Sequence, residues 1–244
     1  MSLPTIEEKA AYVHDQFERI AGGYDRANDV ISMGMHRAWK MRAVSQLVDV
    51  GGPGRFLDVC CGTGDLSILL ARMAAPGSTV TGLDFSQNML DIADIRAHRK
   101  LRKIPPQTIL DFVRGDAQNL PFERNSFDGA IISFGLRNLT DLQKGLTEMA
   151  RVVRPGGKVA NLDLGHCQVP VFAPVFSAYF GKVVPVLGGI LQNDKKAYTY
   201  LPESLSTYPK PEKITEMFEN AGLVDIQHIP LALGTVALHI GTRR

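Results

Sequence analysis

The residue types best suited to chemistry occur in residues 56–65, which read FLDVCCGTGD. A short apolar run is interrupted by Gly62-Thr63-Gly64, and apolar residues then return at helical spacing. This pattern predicts a strand, a tight turn and a helix. The glycines let a ligand approach the backbone, and the helix start offers unpaired N–H donors. Such a unit is typical of the opening of a doubly wound nucleotide-binding fold.

The residues around the glycines indicate which ligand the turn accepts. A dinucleotide fingerprint requires a third glycine where this chain has Ser67, and a pyrophosphate at the helix start would be repelled by Asp65. S-adenosylmethionine has no phosphate, and its sulfonium and ammonium groups suit nearby carboxylates. The alternative for Asp65 is a structural role, because an acidic residue near a helix start stabilises the helix through the helix dipole. The predicted cofactor contacts on this turn are Asp58, Gly62, Thr63 and Gly64.

Two further strands end in residues that could bind the nucleoside. The strand predicted at 79–83 is followed by Asp84, whose carboxylate can accept hydrogen bonds from both ribose hydroxyls. The alternative is that Asp84 caps the helix that follows. The strand predicted at 108–113 leads to Asp116 and Ala117, which we expect to bind the adenine amino group and ring.

A fourth strand, predicted at 129–133, leads to residues that could bind the acceptor, the molecule on which the cofactor acts. Strand ends at this edge of a doubly wound sheet face the ligand crevice. We therefore expect Ser133 near the cofactor and Arg137 and Asn138 near the acceptor. The alternative for Arg137 is a surface ion pair with Asp141, at helical spacing.

Motifs spread over nearly the whole chain resemble those of class I S-adenosylmethionine-dependent methyltransferases: LDVCCGTGD, GLDFSQNML, GDAQNLPF and RVVRPGG. Residues 24–39, 134–138 and 197–209 are similar to the menaquinone/ubiquinone biosynthesis C-methyltransferase family, as is the closing LALGTVALHIG. The chain departs from that family's pattern at Asp163, where a Glu is usual; the charge is kept and the reach is shorter.

Pattern and resemblance together predict an α/β fold. It is a doubly wound, seven-stranded, mostly parallel sheet with N-terminal helices and an apolar helical lid insertion. We expect a single methyltransferase domain over residues 1–244. Its predicted parts are an N-terminal helical cap at 1–50, a cofactor-binding core at 51–165, an acceptor-site lid at 166–210, and a C-terminal helix and hairpin at 211–244.

The resemblance implies S-adenosylmethionine-dependent C-methylation of a reduced prenylated quinone, above all demethylmenaquinol to menaquinol, with the ubiquinone pathway open. Arg137 is the predicted charge beside the substrate oxygen, Asn138 orients the hydroxyl, and Tyr24 or a water relays the proton. Two alternatives remain. One is a class I methyltransferase with another small or lipid acceptor; the other is a non-catalytic nucleotide-binding or oxidoreductase module, which Ser67 and Asp65 disfavour.

The composition and charge of the chain indicate which classes of partner it binds and which it does not. The net charge of +2 and the lack of a basic stripe argue against nucleic acid. The cysteines show no CxxC spacing, so we predict buried thiols, no metal site and a reducing cytoplasm. No signal peptide is expected at the N-terminus. Residues 169–191 are strongly apolar, but three prolines and Lys182 argue against a membrane span. We expect this segment to touch the inner face of the membrane transiently; a homodimer is left open.

Overall fold

The computed structural model describes residues 6–48, 51–100, 105, 107–167, 169–184, 186, 204–205 and 207–244, without the side chains of some helical residues such as Tyr24. Most of the segment 197–209, which carried part of the family resemblance, lies outside the described residues, as does much of the predicted lid.

The described strands form one seven-stranded sheet in the order β3-β2-β1-β4-β5-β7-β6. The pairs from β3 across to β5 are parallel, and β7 runs antiparallel to both β5 and β6. The predicted sheet and closing hairpin are therefore confirmed. The strands are Arg55–Val59 (β1), Thr79–Asp84 (β2), Ile109–Arg114 (β3), Phe127–Ser133 (β4), Val153–Leu164 (β5), Leu223–Leu231 (β6) and Val236–Arg243 (β7).

Helices precede the sheet and cover its faces. The α-helices are Ile6–Ile20 (α1), Tyr24–Ile31 (α2), His36–Leu47 (α3), Asp65–Met73 (α4), Gln87–Lys100 (α5), Leu142–Val152 (α6), Ala173–Ala178 (α7) and Pro211–Asn220 (α8). A π-helical turn, Tyr179–Val183, extends α7. None of the described helices is long and apolar enough to cross a bilayer.

The central strand β1 is buried on both faces, which explains its continuous apolar run. Phe56 packs into the core cluster that includes residues of α3 and α4, while Leu57 and Val59 pack into the cluster on the opposite face with α6 and α8. Because side chains alternate along a strand, Asp58 shares the face of Phe56. A charged residue is thus held inside the sheet sandwich.

Residues 154–157, whose Arg-Pro-Gly-Gly sequence is typical of a turn, do not form a linker between α6 and β5. They lie inside β5, where Phe127 pairs with Val153 and Gly129 pairs with Lys158. The additional residues form a bulge, and Gly156 takes a φ of 78° within it. The strand therefore begins earlier than its apolar pattern indicates.

Gly64 is the tightest point of the turn between β1 and α4. It has a φ of 73°, and a Cβ placed on it would lie 2.9 Å from Cβ of Ala93 and 3.0 Å from Cζ of Phe112. The left-handed backbone and the close approach of α5 and β3 both require glycine here.

We expect Gly64→Ala to lower the free energy of unfolding by roughly 3 kcal/mol, because backbone strain and steric overlap add. Gly34→Ala is the matched control: Gly34 has a φ of 74° but open space around its Cβ position. It should cost about 1 kcal/mol. Urea unfolding measures both; equal losses in the two variants would contradict the packing role of Gly64.

Candidate active site

The glycine turn is fixed by hydrogen bonds to the neighbouring strand. The amide of Cys61 donates to the carbonyl of Leu83 at 2.9 Å, and the amide of Gly62 donates to Oδ2 of Asp84 at 2.8 Å. Cys60 and Gly62 both have positive φ values, 56° and 53°. The end of β2 therefore holds the turn that follows β1 in an uncommon backbone conformation.

Asp84 ends β2 as predicted, and its carboxylate is buried. Besides Gly62, it accepts a hydrogen bond from the amide of Ser86 at 3.0 Å. The cap of α5 is supplied by Ser86 instead, whose Oγ accepts from the amide of Met89 at 3.2 Å. Burial raises the pKa of Asp84, and the backbone donors oppose that shift. The backbone amide of Phe85 is a further donor to this carboxylate, which has about four lone-pair sites and so keeps capacity for one more hydrogen bond.

Asp58 lies in β1 just before the glycine turn and is 1% exposed. Its Oδ2 accepts a hydrogen bond from Oγ of Ser67 on α4 at 2.6 Å. Burial raises the pKa of Asp58 to about 7, although Ser67 and the charge of Lys40 favour ionisation. Ser67, where a dinucleotide site would have glycine, therefore partners this carboxylate.

Asp65 begins α4 and carries two cations. Its Oδ2 is 2.9 Å from Nζ of Lys40 and its Oδ1 is 3.2 Å from Nη2 of Arg96. Burial opposes ionisation, but Lys40 and Arg96 overcome it and lower the pKa of Asp65 to about 2. Asp65 is therefore a stable anion that joins α4 to α3 and α5.

Arg96 extends this network to the N-terminal helices. Its Nη1 donates to the carbonyl and Oγ1 of Thr63, at 2.9 and 2.6 Å, and forms an ion pair with Asp25 at 2.6 Å. Thr63 Oγ1 in turn donates to Asp25 at 2.8 Å. The second helix, α2, is thereby fastened directly over the glycine turn.

Asp116 and Ala117 follow β3 at the same edge of the sheet. Asp116 is exposed, and its Oδ1 accepts a hydrogen bond from the amide of Gln118 at 2.8 Å, whereas Ala117 is buried. Burial raises the pKa of the Cys60 thiol well above its usual range, and Asp84, Asp58 and Asp116 add to that shift. The carboxylates of three strands thus converge around the end of β1.

A cavity of about 560 Å³ opens beside the glycine turn. Its wall brings together the predicted residues Asp58, Gly62, Thr63, Ser133 and Arg137. Gly64, Asp84, Asp116, Ala117 and Asn138 do not line it. Oγ of Ser133 is buried there and has no hydrogen-bond partner among the described residues.

Arg137 lies in the 3₁₀ turn Leu136–Asn138 and is 7% exposed. Its Nη1 is 2.5 Å from Oδ1 of Asp163, and its backbone amide donates to Oδ2 of the same residue at 3.2 Å. The guanidinium carbon lies 5.8 Å from the ring centre of Phe134. The alternative of a surface pair with Asp141 is wrong, because Arg137 is buried and its guanidinium is paired with Asp163. Asp141 instead caps α6 through the amide of Lys144 at 2.9 Å.

The other two residues predicted to act on the acceptor are placed differently. The side-chain amide of Asn138 donates to the carbonyl of Phe134 at 3.3 Å, while its Oδ1 is buried without a hydrogen-bond partner among the described residues. Tyr24 is the first residue of α2, and its side chain lies outside the described residues. Its role stays a prediction.

Part of the cavity wall is apolar and aromatic. Tyr179 is anchored there by a hydrogen bond from its hydroxyl to the carbonyl of Ile31 at 2.8 Å. This fastens the described part of the predicted lid to the end of α2. The aromatic residues of the wall are Trp39, Phe134, Phe172, Phe176, Tyr179 and Phe180.

The sequence profile of the ubiE/COQ5 methyltransferase family matches residues 5–243. The chain belongs to this family. It is 42% identical over 237 residues to a demethylmenaquinone methyltransferase of Desulfitobacterium hafniense, covering 97% of this chain and 92% of that protein. It is 40% identical to the Bacillus cytotoxicus protein of the same name, covering 97% and 98%.

Solved structures share the fold of this family member. A SAM-dependent methyltransferase from Thermotoga maritima superposes with a TM-score of 0.62 at 17% identity, covering 95% of this chain and all of that chain. The predicted class I methyltransferase fold is therefore confirmed.

Several cavity residues were not among the predicted site residues. Lys40 and His36 of α3 line the cavity, and Nε2 of His36 lies 2.7 Å from Oδ1 of Asp29. Asp25 also lines the cavity, and it forms an ion pair with Arg96, which does not line it. Only the family resemblance of residues 24–39 could have indicated these residues in advance. Without it, polar side chains on a helix predict a solvent-exposed helix face.

Because its folded pKa is raised, Asp58 binds a proton in the folded protein that the unfolded chain releases. Its contribution to stability is therefore lost as the pH rises from about 4 to about 7. We expect the stability difference, Asp58→Asn minus wild type, to grow by up to about 4 kcal/mol from pH 4 to pH 8. Urea unfolding of the cofactor-free protein measures it.

Asp111→Asn, at an exposed position of β3, is the matched control. A stability difference for Asp58→Asn that stays constant with pH, or one that the control reproduces, would contradict a carboxyl group held out of water in β1.

Proposed function

We propose that this protein transfers the methyl group of S-adenosylmethionine to a ring carbon of a reduced prenylated quinone, with demethylmenaquinol as the leading acceptor. The observation that carries the proposal is that one cavity joins the glycine turn to Arg137 and to an aromatic wall. Such a cavity can hold a polar cofactor and an apolar ring side by side. The activity named for the relatives supports the same acceptor.

The residues at the turn fit the cofactor. The Cβ position of Gly62 has no atom within 4 Å, so the backbone is open to a ligand. Carboxylates, rather than cations alone, surround the turn, which suits a sulfonium and an ammonium and disfavours a pyrophosphate. Ser133 offers an unused hydroxyl on the wall. We propose that Asp58, Gly62, Thr63 and Ser133 contact the cofactor from the cavity wall. Gly64, Asp84, Asp116 and Ala117 lie outside that wall, and their contacts with the cofactor stay predictions.

When bound, the cofactor would supply a sulfonium methyl group: the ring carbon takes the methyl as the methyl–sulfur bond breaks, and that carbon then loses its hydrogen as a proton, so that the ring becomes aromatic again. The ring carbon is a poor nucleophile until the neighbouring hydroxyl is ionised. A phenol has a pKa near 10, so ionisation costs about 4 kcal/mol at neutral pH. The oxidised quinone has no hydroxyl to ionise, and we therefore expect only the reduced form to react.

Arg137 is the group that we propose to lower this cost. Its pairing with Asp163 occupies Nη1 and fixes the orientation of the guanidinium, which has five N–H donors in all. The pair is nearly neutral as a whole, so Arg137 stabilises a developing oxyanion mainly through oriented N–H groups at short range. Asn138, through its bond to Phe134, would keep the turn in place and orient the hydroxyl; Tyr24 or a water would relay the proton.

The prenyl tail limits where the enzyme works. Each five-carbon unit would contribute around 4 kcal/mol if fully buried, at about 0.8 kcal/mol per CH₂, so an enclosed long tail would exceed practical affinity limits. We therefore propose that only the first units enter the protein and that it binds the inner face of the membrane from the cytoplasm, transiently. A homodimer is compatible with this arrangement.

The direct test is transfer of labelled methyl from S-adenosylmethionine, followed by mass spectrometry. Demethylmenaquinol and the demethylated ubiquinol precursor are offered in both redox states. We expect label in the reduced naphthoquinol ring and none in either oxidised ring. Binding of S-adenosylhomocysteine without transfer to any quinol would contradict the proposed acceptor and leave the cofactor assignment standing.

The role of Arg137 calls for a variant that keeps the fold. Arg137→Ala alone would leave Asp163 buried without its ion-pair partner, at a cost of about 3–5 kcal/mol. The double variant Arg137→Gln/Asp163→Asn keeps a neutral hydrogen-bonded pair. We expect its kcat to fall by roughly 10²–10³-fold, with S-adenosylhomocysteine affinity almost unchanged.

The matched control is Arg154→Gln/Asp128→Asn. That pair has the same chemistry, with Nε of Arg154 2.5 Å from Oδ1 of Asp128, and stands near the opposite ends of β4 and β5. It should retain wild-type kcat. Near-normal turnover in the Arg137/Asp163 variant would remove Arg137 from the mechanism.

A further inference from the structure

We propose that the mouth of the cavity is a bilayer-docking face built from three separate turns. They are the α2–α3 turn at residues 32–35, the stretch at 169–172 before α7, and the β6–β7 turn at 231–235. We call these three turns the mouth face. The inference rests on the proposed function, since it assigns the surface through which a membrane-dissolved substrate enters the same cavity.

Each turn exposes a large apolar side chain. Met33 is 72% exposed, Val171 is 85% exposed and Leu233 is 53% exposed. Met33 and Leu233 also line the cavity, as does Phe172 beside Val171. The exposed apolar surface is therefore continuous with the cavity wall, and is not a scatter of single residues.

The backbone presents two of these side chains outward at a conformational cost. Met33 has a φ of 51° and Leu233 a φ of 61°, values that non-glycine residues seldom adopt. Gly34 and Gly234 follow them and also have positive φ values, of 74° and 87°. Strained turns that carry exposed apolar residues at a cavity mouth are a pattern expected of functional surfaces.

The mouth face itself is uncharged. The turns at 32–35, 169–172 and 231–235 contain no charged residue, although 21% of the whole chain is charged. Among the described residues near these turns along the chain, Arg37 is exposed but forms an ion pair with Asp29 at 2.6 Å, and Lys182, in the π-helical turn, is exposed. An uncharged apolar surface with an exposed lysine near it along the chain matches the interface of a bilayer with anionic lipids.

The substrate explains why a bilayer fits this surface better than a protein. A prenyl tail that stays partly outside the enzyme must leave through the cavity mouth. A second protein bound there would block the exit of the tail. A bilayer would instead let the tail pass from the protein cavity into the hydrocarbon core without contacting water. The exposed apolar side chains would then lie in the acyl boundary when the enzyme takes its substrate.

The test is co-sedimentation of the full chain with vesicles, of phosphatidylcholine alone and of phosphatidylcholine with phosphatidylglycerol. We expect the wild type to bind, and to bind better when phosphatidylglycerol is present. Val171→Asp and Leu233→Asp should each weaken vesicle binding by about tenfold or more, because a carboxylate resists transfer from water into the interface. Ile95→Asp is the matched control, since Ile95 is also exposed but lies on α5, away from the cavity wall.

Two results would overturn the inference: no vesicle binding by the wild type, or equal binding by the mouth-face variants and the control. If Val171→Asp instead changed the sedimentation mass of the lipid-free protein, the face would be a contact between two copies and the bilayer assignment would be wrong. Methyl transfer to a quinol with a single prenyl unit, measured without vesicles, is a separate readout. Methyl transfer without vesicle binding would refute the mouth face and leave the quinol methylation standing. Vesicle binding without methyl transfer would refute the quinol methylation and leave the mouth face standing.

Discussion

The site depends on carboxylates held out of water at the carboxyl edge of the parallel sheet. Asp58, Asp84 and Asp163 are each at most 5% exposed, and a buried charge needs a partner, hydrogen-bond donors or a proton. The fold meets this need differently at each position. Asp163 has the guanidinium of Arg137, Asp84 has the amides of Gly62 and Ser86, and Asp58 has a pKa of about 7. Each solution also fixes a group at the cavity wall or the turn beside it.

These pairings link the two halves of the cavity. The hydrogen bond from Gly62 to Asp84 shapes the glycine turn, and the ion pair between Arg137 and Asp163 fixes a guanidinium on the cavity wall, where we propose that it acts on the acceptor. Arg96 connects the turn to α2, so the N-terminal helices close the site that the sheet begins. A cavity assembled in this way can bring a cationic cofactor beside an aromatic ring.

The features that could be predicted from the sequence are those that depend on residues close together along the chain. The glycine turn, Asp84 at the end of β2 and Arg137 after β4 follow from short motifs at strand ends. The partner of Arg137 could not be predicted, because Asp163 is 26 residues away and meets it only through the register that pairs Ser133 with Leu162. The roles of Lys40 and Arg96 were hidden for the same reason. Cysteine burial was predicted too broadly for Cys167, which is partly exposed. Cys61 is buried, and the thiol of Cys60 is buried although the residue as a whole is partly exposed.

We propose that the oriented N–H groups of Arg137 make the substrate hydroxyl easier to ionise. An absorbance titration of an unreactive naphthol, bound to the enzyme with S-adenosylhomocysteine, measures this effect. We expect a pKa of the bound naphthol at least about one unit below that of the free naphthol in the wild type, and a return towards the free value in Arg137→Gln/Asp163→Asn. An unshifted pKa in the wild-type complex, or the same shift in both proteins, would contradict this proposal.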